Sequence, residues 1–115
     1  MQANPASGNA PGQDWSVDLD LLDRAVSARR QKWEGAGASV EIVRCGSDAK
    51  PAASLRGDSP ARVVELLLWV SGEAELIYAE LLPRVTDPRN DHYDLVTPAD
   101  LERCLDDFEV HLGIR

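Results

Sequence analysis

From Trp15 onward, apolar residues recur at spacings of three, four and seven, through Leu19, Leu22, Val26 and Trp33, with Arg29 standing where another apolar residue is due. That period gives one apolar face and predicts a helix over residues 16–34. Ser16 is placed to cap its start. Asp18, Asp20 and Asp23 fall in the early turns and Arg29, Arg30 and Lys32 near the end, an order that complements the helix dipole. Gly35 and Gly37 then stop it. Trp15 and Trp33 lie on the apolar face and are expected in the core.

The period then changes to two. Residues 39–45 (SVEIVRC) are rich in β-branched side chains and alternate, with Val40 and Ile42 on one side and Glu41, Val43 and Cys45 on the other, which predicts a strand. Gly46, Ser47, Asp48 and Pro51 form a turn, and residues 52–56 make a weaker strand that Gly57-Asp58-Ser59-Pro60 ends. Residues 62–82 (RVVELLLWVSGEAELIYAELL) answer to both periods. As a helix, Ser59 caps, Pro60 fits the first turn, and Val63, Val64, Leu67, Val70, Ala74, Ile77, Tyr78 and Leu81 fall three or four apart. As a hairpin, Val64, Leu66, Leu68 and Val70 alternate with Glu65, Leu67 and Trp69, Ser71-Gly72-Glu73 turns, and Glu75 to Leu81 returns. Gly72 would cost a helix about 1 kcal/mol relative to Ala, and Val63, Val64, Trp69, Val70, Ile77 and Tyr78 favour strands. Periodicity alone leaves the two nearly tied.

Residues 83–90, with two prolines, read as a loop, and His92 to Val96 as a short extended piece. Thr97-Pro98-Ala99-Asp100 starts a second helix with a cap, a first-turn proline and a shortened capping box. Leu101, Cys104, Leu105, Phe108 and Leu112 give it one apolar face, Glu102, Asp106, Asp107 and Glu109 occupy the others, and Gly113 ends it. Residues 1–13 (MQANPASGNAPGQ) carry no charge and no periodic apolar residue, and a disordered tail is expected there. Residues 14–115 are then a single domain, since a chain of this length builds one two-layer core.

Charge changes the picture by its placement. The net charge is −8. Residues 1–57 are neutral, with seven acids and seven bases, so the whole deficit lies in residues 58–115, where 13 acids face five bases. An acidic surface disfavours nucleic acid and anionic membranes and leaves a basic protein as the electrostatically attractive partner, although an acidic face can also serve solubility alone. No apolar run approaches the roughly 20 residues a bilayer span needs, and the first 14 residues lack the form of a secretory signal, so a cytoplasmic location is expected. Cys45 and Cys104 lie far apart without metal or redox spacing and are expected as free, buried thiols.

Candidate chemistry is sparse. No phosphate-loop, dinucleotide, zinc-protease or nucleophile-elbow motif occurs. His92 stands two residues before Asp94, a pair found often by chance, and a surface histidine is the simpler account. His111, at the end of an acidic helix, fits a dipole-compensating role. Trp69 would share a hairpin face with Leu67 and Glu65, opposite Val64, Leu66, Leu68 and Val70. It is either core or a partly exposed anchor for a protein partner.

The run LLLWVSGEAELIYAEL, the extended His92-Tyr93-Asp94-Leu95 and the closing helix with Leu101, Leu105, Asp107 and Phe108 resemble the TriTu family of bacterial immunity proteins, small antitoxins that accompany polymorphic toxins. The likeness covers about residues 62–112 and extends to the first 60 only as a helix followed by strands; the Pro-rich stretch 83–91 and the Ala-rich tail depart from it. It implies the hairpin, and with it an α+β fold in which an antiparallel sheet of four to five strands packs against an N-terminal and a C-terminal helix. It also implies a stoichiometric inhibitor of a cognate, basic toxin domain. Charge and spacing then suggest Glu73, Glu75 and Glu80 on the hairpin and Asp106, Asp107 and Glu109 on the last helix as contacts, with Trp69 or Tyr78 as anchor. No catalytic residue, metal, cofactor, nucleic acid, membrane or small-molecule substrate is expected. An adaptor or secretion chaperone that binds an effector without inhibiting it is the alternative, and a small enzyme using His92 and Asp94 a weaker one.

Overall fold

A computed structural model describes residues 17–114. The tail over 1–13, Trp15 and Ser16 lie outside the described residues. Seven elements follow in order: α1 (Leu19–Gly35), β1 (Ser39–Gly46), β2 (Pro51–Asp58), β3 (Arg62–Trp69), β4 (Glu73–Glu80), β5 (Arg89–Asp94) and α2 (Pro98–Leu112). The five strands form an antiparallel meander in chain order. The fold is α+β, with the expected helix at each end.

The segment that fitted two periods is a hairpin. Leu66 pairs with Leu76 and Leu67 with Glu75, and Gly72 takes a φ of +96° in the turn, a conformation that favours glycine and interrupts a helix. Helix α1 begins at Leu19, three residues later than the spacing predicts. The Asp18 carboxylate accepts the Asp20 N–H at 2.9 Å, while the Val17 N–H bonds Val70 O at 2.7 Å, which holds the entering chain extended against the end of β3. Helix α2 starts as expected, with Asp100 accepting the backbone N–H groups of Thr97 and Val96 at 2.9 and 2.8 Å. Strand β5 comes earlier than 92–96: it starts at Arg89, directly after Pro88, and Leu95 N–H bonds Gly72 O at 2.8 Å.

Both helices cover one face of the sheet. Leu22, Val26 and Trp33 of α1 and Leu101, Leu105, Phe108 and Leu112 of α2 meet Leu55, Val64, Leu66, Leu68 and Leu76 from the strands, all nearly or fully buried. Each contributes about 1.5–3 kcal/mol by leaving water. Trp33 is core as expected, its ring centroid 5.2 Å from that of Phe108. Gly57 makes room for this packing, since a Cβ there would stand 2.6 Å from the Phe108 ring. Both cysteines are free, but Cys45 is exposed rather than buried, because its strand is at the sheet edge and the residue falls on the side away from the helices. Cys104 is buried, and that burial pushes its thiol pKa up to about 12. Among the described residues, no helix is long and apolar enough to cross a membrane.

Candidate functional site

Alternation along the strands sends half of their side chains to the face that carries no helix. The register aligns them in rows: Cys45, Ala52 and Trp69; Val43, Ser54, Leu67, Glu75 and His92; Glu41, Arg56, Glu65, Ile77 and Asn90; Ser39, Asp58, Val63 and Ala79. A solvated sheet face is ordinarily polar at its alternate positions. Strand β3, at the centre, breaks that rule. Its open side reads Val63, Glu65, Leu67, Trp69, and Ile77 of β4 extends the apolar strip; all five are half-buried with no layer above them.

Carboxylates punctuate the strip. Glu65 accepts the Ser54 hydroxyl at 2.5 Å. Glu73 accepts the Lys50 ammonium at 2.9 Å, and that ammonium also lies 5.4 Å from the Trp69 ring centroid. His92 sits between Glu75 and Asp94, with Nδ1 3.2 Å from Glu75 Oε2 and Nε2 3.1 Å from Asp94 Oδ1. Both ring nitrogens can donate only in the imidazolium, so the Asp94 contact first and the Glu75 contact second raise the His92 pKa above its ordinary value. Asn90 Nδ2 donates to the other Glu75 oxygen at 3.3 Å. Among the described residues, no three His, Cys, Asp or Glu side chains are set to hold a metal ion.

The eight residues singled out from charge and spacing divide between two faces. Trp69, Glu73 and Glu75 lie together on the open face. Trp69 is therefore not under the helices: the Val64, Leu66 and Leu68 side of β3 took that place, leaving the indole half-buried on the other. Tyr78 faces the helices, with its ring stacked on His111 at a centroid distance of 3.6 Å and its hydroxyl 3.3 Å from Asp91. Glu80 closes the same side of β4, 3.9 Å from Arg62.

The acids of α2 belong to the helical layer, so they cannot join Trp69 in one patch. Asp106 accepts Arg29 at 3.0 Å and Asp107 accepts the Tyr93 hydroxyl at 2.7 Å. Glu109 is not a surface residue at all. It is 0% exposed and accepts the Trp33 indole N–H at 2.8 Å and Arg29 and Lys32 at 3.0 Å each. Burial alone would push its pKa up; hydrogen bonds from Trp33 and Lys32 and the Arg29 charge outweigh that and hold it below the ordinary carboxylate range. The acidic surplus of residues 58–115 therefore does not gather into one surface: Arg29 and Lys32 of α1 hold Glu102, Asp106 and Glu109 in the helical layer, while Glu73 and Glu75 lie on the opposite face. No family model, curated protein or solved structure matches the chain. The likeness to immunity proteins rests on the residues quoted for it.

Sequence reasoning put Leu67 and Glu65 beside Trp69 but passed over Ile77 and Val63. Both could have been found by carrying the period-two alternation through Glu75 and pairing the two strands across Gly72.

Proposed function

We propose that this protein is a cytoplasmic immunity protein that neutralises a cognate toxin domain by stoichiometric binding, with the helix-free face of its sheet as the docking surface. One observation carries the reading: the apolar strip of Val63, Leu67, Trp69 and Ile77 on a sheet face with no covering layer, bordered by Glu65, Glu73, Glu75 and Asp94. Aromatic and aliphatic side chains within a polar rim are what concentrates binding energy in a protein interface. Carboxylates outnumber the cations Lys50 and Arg56 on this face, so a basic surface is the complement that gains net attraction. A toxin that handles nucleic acid would offer such a surface.

The test is protection. Cells expressing the toxin encoded by the adjoining reading frame should survive with the wild-type protein and die with Trp69→Ala, whose truncation should weaken the complex by about 2 kcal/mol or more, roughly 30-fold in Kd. Glu102→Gln, on the helical layer, should still protect. Full protection by a folded Trp69→Ala, Ile77→Ala double variant overturns the docking face. A tight complex formed in cells that die nonetheless favours the adaptor instead.

A further inference from the structure

On the open face, a pocket of about 170 Å³ lies between Val63, Ile77, Ala79 and Pro88, with Glu65 and Arg56 at its polar side. Glu65 differs from its neighbours. Glu73 has Lys50, Asp58 has Arg56 at 3.6 Å, and Glu75 and Asp94 share His92. Glu65 is half-buried on the central strand with apolar residues two positions to either side, and the Ser54 hydroxyl is its partner; no cation of the described residues stands within salt-bridge distance. Arg56, opposite Glu65 on the neighbouring strand, is held by Asp58, so the Glu65 carboxylate, bonded to a neutral hydroxyl, keeps acceptor capacity for a further cationic head.

Resting on the docking reading above, we infer that this pocket takes a lysine or arginine side chain of the protein partner, its aliphatic stem between Val63, Ile77, Ala79 and Pro88 and its charged head on Glu65. Such side chains combine an apolar stem with a cationic tip, matching a pocket with aliphatic walls and one carboxylate. Arg56 already has Asp58, so its charge is answered on its own strand. Val63 and Ile77, the apolar neighbours of Glu65 on the same face, would limit the water that reaches the pair.

The experiment needs no toxin. Backbone and methyl chemical shifts of the full chain are followed by NMR during titration with n-butylguanidinium and, separately, with n-butanol, for wild type and Glu65→Gln. Glutamine keeps an acceptor for Ser54, so the variant should fold, and its amide spectrum verifies this. The guanidinium should move Ser54, Val63, Ile77 and Ala79 roughly fivefold more than the alcohol does, and the excess should vanish in Glu65→Gln. Equal responses to the two probes, an excess that persists in Glu65→Gln, or shifts confined to Glu73, Glu75 and Asp94 overturn the inference. Those outcomes leave the docking face to the protection assay. Conversely, protection that survives loss of Trp69 and Ile77 removes the docking reading even where the pocket binds the probe.

Discussion

Glu109 is the residue on which the two helices converge, and its energetics follow from its partners. Removing it leaves Arg29, Lys32 and the Trp33 N–H without their shared acceptor, so Glu109→Ala should cost about 3 kcal/mol in urea unfolding; Lys32 is half-exposed, which keeps the loss at the low end for a buried pair. The carboxylate pKa is lower folded than unfolded, so its stabilisation is present above the unfolded value of about 4.3 and is lost as pH falls through the folded one. Glu109→Gln should therefore show a shallower loss of stability below about pH 4.5 than wild type. Unfolding free energies measured at pH 7, 5 and 3 check this, and parallel curves for the two proteins would contradict it. Only the Arg29 side of this cluster was legible, because Glu109 reads from the sequence as one of the outward acids of α2. Arg29 interrupts the apolar stripe of α1, whereas Glu109, although it follows Leu105 by four, groups with Glu102, Asp106 and Asp107. Neither helix alone says that the two intrusions meet, because their contact spans 80 positions of chain.

Among the elements, the helices were legible because each has one apolar face with a stop signal, whereas β3 was ambiguous for a physical reason. It is apolar on both sides: Val64, Leu66 and Leu68 toward the helices, Val63, Leu67 and Trp69 away from them. Two-sided apolarity erases the alternation that marks a half-buried strand, and a helical spacing then fits by default. The feature that blurred the strand is the one proposed as the docking strip. Strand β5 was misplaced because Pro83 and Pro88 announce a loop and its charged residues carry no apolar rhythm. At the junction of layers, Gly57→Ala should push a methyl group against Phe108 and Leu112, which are already fully packed. Overpacking of about 1–3 kcal/mol is expected, seen as a fall in Tm of roughly 4–8 °C per kcal/mol. An unchanged Tm would mean that Phe108 has room to withdraw.

At the scale of the whole molecule, internal pairing redistributes charge but leaves the net −8 intact, and that net charge sets the field a distant partner meets. Association with a basic toxin should therefore slow by roughly tenfold or more from low to high salt. Neutralising the remote Glu102 should lower the association rate while sparing dissociation. Stopped-flow mixing reads both, and a rate indifferent to ionic strength would remove the electrostatic component. The meander itself has a temporal consequence. Each strand pairs with the one made just before it, yet the sheet's apolar side is roofed by the first and last of the seven elements. During synthesis, the five strands emerge with Leu66 and Leu76 still waiting for α2, so the fold is completed only when this last helix leaves the ribosome and locks Glu109 onto Arg29.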